Sequence, residues 1–204
     1  LVVLLSTYLN FFAVVHQERL HLTPEIGDGQ SYDSIALNLA RGRGFGQYWS
    51  DPEWRAPYEH QNYNGRNNRI LALSGPFYKT AYRPPLFPAL LALLYKLAGR
   101  NFALWRVANC LIVGLAAGFT FAIGHRLGGW AGGLLAALLC LLDPAPKSYA
   151  GIFMTEGLAM LAVSALLWSM LNPFLRPNTV HYIVTGVLLA LAILARQLEI
   201  WEKP

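Results

Sequence analysis

Four charged residues stand where apolar stretches of this chain give way to polar ones: Asp28, Arg83, Glu156 and Arg196. Such positions either anchor a protein to lipid headgroups or act on a substrate carried by the membrane. Asp28 lies in Ile26-Gly27-Asp28-Gly29-Gln30-Ser31-Tyr32, soon after the first apolar run. There a carboxylate stays hydrated, can reach a headgroup and can accept a proton. It reads equally as the N-cap of a short helix over 31–40. Asp33, inside that helix, reads as a solvated position. Arg83 closes Lys79-Thr80-Ala81-Tyr82-Arg83, before Pro84-Pro85. Its guanidinium offers paired donors that match phosphate oxygens, and the bland reading is a boundary cation on lipid. Glu156, in Met154-Thr155-Glu156-Gly157, enters an apolar run, which is costly unless the carboxylate is paired or faces a cavity. As a helix-start acid it would also be favoured by the dipole. Arg196 closes the last apolar run as an interfacial anchor or a phosphate ligand, and Arg106 reads as a structural ion-pair partner.

Other chemistries find no support. His16, His21, His60, His125 and His181 show no paired metal spacing, and no nucleophile-elbow, P-loop or zincin pattern occurs. Gly42-Arg43-Gly44-Phe45-Gly46 follows a helix, not a strand, and so is no dinucleotide fingerprint. Cys110 and Cys140 sit inside apolar stretches as small packing residues. The net charge of +5 comes from scattered cations with no basic stripe, which argues against nucleic acid and for lipid phosphate or an anionic substrate.

The elements that must position these residues follow from composition. Of 204 residues, 55% are hydrophobic and 13% charged, against roughly 25% charged in soluble domains. The expected fold is all-α: a polytopic transmembrane helix bundle with a long extracytoplasmic first loop containing short juxtamembrane helices. Spans are expected at about 1–15, 103–124, 130–142, 156–171 and 181–195, with the loop at 16–83. Residues 86–98 are apolar but short for a bilayer. Pro84 and Pro85 precede them and Gly99 follows, so they predict an interfacial helix with Lys96 snorkelling. Gly114, Ala116, Ala117, Gly118, Gly132, Gly133 and Ala136 predict close helix packing. Arg126 and Arg176 fall on one side of such a topology, which places the long loop outside the cytoplasm by the positive-inside rule. The chain opens at Leu1 inside an apolar run and reads as the N-terminal piece of a longer protein, with no cleaved signal peptide.

The order of these pieces resembles the C-type (GT-C) membrane glycosyltransferases, in the branch of protein O-mannosyltransferases and the lipid A aminoarabinose transferase. It runs from Asp28 with Tyr32 through Ala40-Arg41-Gly42-Arg43-Gly44-Phe45 and Thr80-Ala81-Tyr82-Arg83-Pro84-Pro85-Leu86-Phe87-Pro88. It continues through Asn101 to Asn109 with Arg106, then Thr155-Glu156, and ends at Leu194-Ala195-Arg196. Members usually carry Asp-Glu where Asp28-Gly29 stands, and often Pro where Gln197 stands. The resemblance implies a multi-pass enzyme of the bacterial inner or plasma membrane. Its donor would be a polyprenyl-phosphate-linked sugar and its acceptor a lipid, glycan or protein hydroxyl. Asp28 would be the general base, and Arg83 with Lys79, Tyr82 or Arg196 would hold the leaving phosphate. Glu156 would orient acceptor or sugar, with no metal or other cofactor. Two other readings compete: a transporter or channel piece, which would favour acids deep within spans, and a non-catalytic scaffold. An isolated piece of such an enzyme need not be active. Convergence of Asp28, Arg83, Glu156 and Arg196 on one cavity would separate the readings.

Overall fold

The computed structural model describes residues 1–171 and 179–195. Helices dominate: α1 Val2–His16, α2 Asp28–Ala40, α3 Pro52–His60, α4 Asn68–Leu71, α5 Leu86–Ala98, α6 Phe102–Leu142, α7 Pro144–Ala150, α8 Glu156–Leu171 and α9 Thr179–Ala195. Two short strands, β1 Gly46–Gln47 and β2 Tyr78–Lys79, pair antiparallel with Gly46 opposite Lys79. Local chemistry sets several boundaries. Asp51 caps α3 by accepting from Glu53 N at 2.9 Å, Asn101 caps α6 through Leu104 N at 3.1 Å, and Asp143 caps α7 through Ala145 N at 2.9 Å. Residues 86–98 form the helix expected of them, and Gly99, at φ +73°, ends it.

α6 is the one helix among the described residues that is clearly long and apolar enough to cross a membrane. It does not run straight. Gly128 and Gly129 leave helical geometry, Gly129 at φ +61° and ψ −157°, and the chain folds back. A methyl group on Gly124 would lie 2.6 Å from Gly132 O and 2.7 Å from Ala136 Cβ. In a straight helix Gly124 and Gly132 would be about 12 Å apart along the axis. The two expected segments, 103–124 and 130–142, are therefore limbs of one hairpin. The first limb extends to about residue 127, roughly 39 Å at 1.5 Å per residue. The glycines make the contacts expected of small residues: Gly118 lies under Val3 of α1, Gly114 under Thr7, and Gly157 of α8 against Asn109. Leucines such as Leu4, Leu134, Leu138 and Leu167 line the outside of the bundle, a surface suited to hydrocarbon.

At one end of the bundle α2 and α5 pack together over the start of α6, around Tyr32, Ala36, Phe87, Leu91, Trp105 and Phe153. The long first loop holds more order than its sequence suggests. Beyond α2 it contains α3, α4, a 3₁₀ turn and β1, and its own cluster of Leu37, Trp49, Trp54, Tyr58 and Ile70. Polar glue binds this cap. Asp33 is fully buried and ion-paired to Arg100, and it accepts from Tyr58 Oη at 2.9 Å and Tyr95 Oη at 2.7 Å. This overturns the expectation that Asp33 is solvated. α2 has no solvent face over its first three turns, because every residue from Gly29 to Asn38 is buried. A periodicity argument that assigns one face to water fails on such a helix.

Candidate active site

α2 begins at Asp28, with Gly27 as its N-cap at φ +100°. Gly27 N donates to Gln30 Oε1 at 3.0 Å, so the first turn is closed without help from Asp28. The Asp28 carboxylate instead accepts from Arg83, with Nη1 to Oδ1 at 2.6 Å. The N-cap reading of Asp28 is thereby replaced: it occupies the first helical position and points to another segment of the chain. Asp28 keeps 38% of its side chain exposed and Arg83 only 13%. The guanidinium carbon lies over two rings, 5.5 Å from the centroid of Tyr32 and 4.6 Å from that of Tyr82. Its Nε is buried and has no hydrogen-bond partner among the described residues.

Tyr32, one helical turn after Asp28, stands at the meeting point. Its ring packs on Phe87 at 4.7 Å. Burial, then the charge of Asp28, pushes its phenol up to about 12, against opposing effects from Arg83 and a hydrogen bond with Thr155, while Glu156 pushes it further up. The phenol therefore lies within electrostatic reach of Asp28, Arg83 and Glu156 together. Glu156 starts α8, and its Oε2 is buried without a partner among the described residues. It lines a groove of about 380 Å³ with Tyr149, Thr155, Ala159, Met160, Val163 and Ala192. Its polar lining comes from Tyr149, Thr155 and Glu156 and its apolar lining from α8 and α9. Asp28 and Arg83 are not among its lining residues, and Thr155, at the phenol of Tyr32, links the two.

Of the residues singled out from sequence, the structure thus brings Arg83 into contact with both Asp28 and Tyr82, while Glu156 is linked to them through Tyr32. Lys79 sits exposed on β2 and forms no ion pair among the described residues. Arg196 lies outside the described residues. Arg106 takes the structural part expected of it: fully buried, it pairs with Glu25 at 3.4 Å and donates to Leu22 O at 2.7 Å and Gly151 O at 2.8 Å. Gly29, beside Asp28, is closely packed. A side chain there would begin 3.3 Å from both Phe153 and Pro24. Sequence reasoning gave Tyr32 no role of its own. Its spacing from Asp28, one turn along the same helix face, was the available signal. No group of His, Cys, Asp and Glu able to hold a metal ion occurs among the described residues.

Residues 82–201, more than half of the chain, match the family described as dolichyl-phosphate-mannose-protein mannosyltransferase. The chain belongs to that family. Membership brings a membrane-embedded fold of the C type, a glycosyltransferase activity of the mannosyltransferase-like kind, and, in general terms, a polyprenyl-phosphate-linked sugar donor with an acceptor. No curated protein and no solved structure matches the chain. The family match begins at Tyr82, so it takes in Arg83, Arg106 and Glu156 but not Asp28.

Proposed function

We propose that this chain carries the donor-side half of a catalytic centre that moves a sugar from a polyprenyl phosphate to an acceptor hydroxyl at the extracytoplasmic face. The observation that carries this reading is the pairing of Asp28 with Arg83 at 2.6 Å, beside Tyr32, Thr155 and Glu156. A general base and an anion clamp are the two groups such a transfer needs. The acceptor oxygen forms a bond to the anomeric carbon while the bond from that carbon to the phosphate oxygen breaks. The hydroxyl proton goes to Asp28, and the phosphate leaves with its negative charge held by Arg83. The rings of Tyr82 and Tyr32 lie against the guanidinium, and Glu156 orients hydroxyls of sugar or acceptor in its groove. Lys79 and Arg196 are second cations for the same phosphate.

Several spans would hold this centre at the membrane surface, with α5 lying in the interface and the limbs of α6, α1, α8 and α9 crossing. Single-cysteine labelling at the exposed positions Arg69 and Asn101 should then report one side of the membrane. Labelling from opposite sides would make α5 a crossing segment and invert everything after it. The chemical reading is tested by sugar transfer from a polyprenyl-phosphate sugar with the full-length protein. Asp28→Asn should cut transfer by about 10²–10⁴-fold while donor binding persists. Near-normal turnover would pass the base role to Glu156.

A further inference from the structure

The proposed base and the proposed clamp spend their resting state bound to each other. Building on the function proposed above, we infer that Asp28 is the internal occupant of the Arg83 anion site. The donor's phosphate must displace it to use the clamp, so donor binding and the Asp28–Arg83 pair compete for one guanidinium.

The geometry sets this competition. The rings of Tyr32 and Tyr82 lie 5.5 and 4.6 Å from the guanidinium carbon, and its N–H donors lie along its edges, where anions bind. Asp28 makes one ion-pair contact, Nη1 to Oδ1 at 2.6 Å, while Nε is buried with no partner among the described residues. The donor's phosphate, a diester before transfer, has two free oxygens that can make two parallel contacts along one edge of the fork, where the carboxylate makes one. The pair is also weak enough to exchange. With Asp28 38% exposed, it resembles the pairs that contribute up to about 1 kcal/mol, roughly fivefold in an equilibrium constant. Releasing it does not loosen the helix, because Asp33 anchors α2 independently through Arg100, Tyr58 and Tyr95. Phosphate binding at Arg83 releases the Asp28 oxygen held there at the moment the leaving group is in place.

The test is a double-mutant cycle on the full-length protein in lipid nanodiscs. The probe is decaprenyl monophosphate and the control its neutral alcohol, decaprenol. Asp28→Asn should bind the phosphate about three- to fivefold tighter than wild type, because Arg83 is released. Arg83→Ala should bind it more weakly, and adding Asp28→Asn to Arg83→Ala should give no gain. Asp28→Ser serves as a second release variant should Asn perturb the fold, with thermal unfolding recorded for each protein. Unchanged or weaker binding in both release variants overturns the inference. So does an equal gain in the Arg83→Ala background, which would reveal simple repulsion between Asp28 and the ligand. If wild type and Arg83→Ala bind alike, the phosphate is not at Arg83, and both the clamp assignment and this inference fall together. Loss of Arg83 dependence therefore marks failure of the parent reading. Retained Arg83 dependence with no gain on release marks failure of the competition alone.

Discussion

Two aspartates on one helix, five positions apart in sequence, have opposite surroundings. Asp33 is fully buried and saturated: Arg100 pairs with it, and two tyrosine hydroxyls donate to it. Arg100 in turn donates to the carbonyls of Glu53 and Trp54, at 2.8 and 3.1 Å, leaving little of either charge unmet. Asp28 is 38% exposed, held by one contact, and its arginine keeps an unpartnered nitrogen. Both are aspartate–arginine pairs within one small cap, so charge pairing alone does not separate structure from function. Saturation does. A network with every donor and acceptor met has nothing left to offer a ligand, whereas an open pair beside an orphaned Glu156 oxygen has.

The sharpest way to break the contrast is to make the same substitution at both positions. Asp28→Asn should cost about 10²–10⁴-fold in transfer rate. Its stability should fall by no more than about 1 kcal/mol, since a half-exposed pair is all that is lost. Asp33→Asn or Asp33→Ala should instead destabilise by about 3–5 kcal/mol, because Arg100 is left buried without its counter-charge. Thermal unfolding in detergent and turnover per folded molecule read the two losses separately. A catalytically dead but fully stable Asp33→Asn protein would reverse the assignment. Next in size is the clamp. Arg83→Ala should weaken binding of a polyprenyl monophosphate by roughly tenfold to a hundredfold, and Arg83→Lys by less, because lysine keeps the charge but loses the fork. Equal losses in the two variants would reduce Arg83 to a point charge. Within the saturated network, Tyr95→Phe should cost on the order of 1.5–3 kcal/mol, the value of a hydrogen bond to a charged group.

The smallest expected effect is on pH dependence. The folded protein holds the Tyr32 proton up to about 12, whereas the unfolded chain releases it near 10. Between these values the unfolded state binds fewer protons, so stability falls as pH rises, by about 1.4 kcal/mol per pH unit at most. Below about pH 10 this contribution is flat. Tyr58 and Tyr95, both pushed up by burial and then by Asp33, add to the same alkaline slope. The difference between wild type and Tyr32→Phe isolates the share of Tyr32. Identical alkaline unfolding curves for the two would place the phenol away from the charge cluster.

The sequence made some of this legible and hid the rest for definite reasons. Segments 86–98, 156–171 and 181–195 are apolar runs bounded by Pro, Gly or a helix-start acid, and their helices begin and end within two residues of those limits. Gly114 and Gly118 announced the α1 contact because only small residues let backbones approach so closely. Arg83 and Asp28 were visible as charges at polar–apolar boundaries. Their mutual contact was not, because it joins positions 55 residues apart across a folded loop, and no local periodicity records that. The order inside 16–83 was missed for a related reason. Its cluster draws Trp54 and Tyr58 from α3 but only single residues, Leu37, Trp49 and Ile70, from α2, the loop and α4, too few in any one element to set up a sustained period. Asp33 was misread because its partners come from α3, α5 and Arg100, none of them near it in the chain.

Arg106 has a consequence for where such a loop can lie. Irregular backbone close to a bilayer carries carbonyls that hydrocarbon cannot satisfy, and each one left bare costs several kcal/mol. Fully buried at the start of α6, Arg106 reaches Leu22 O on the segment after α1 and Gly151 O on the turn before α8, and its guanidinium carbon lies 4.9 Å from the Phe153 ring. Asn109, one turn further in, donates to Tyr149 O at 2.7 Å and Ala150 O at 3.3 Å. Together these two side chains serve the connecting segments as a surrogate for water. They let the non-helical chain between α1 and α2 and between α7 and α8 stay satisfied without water.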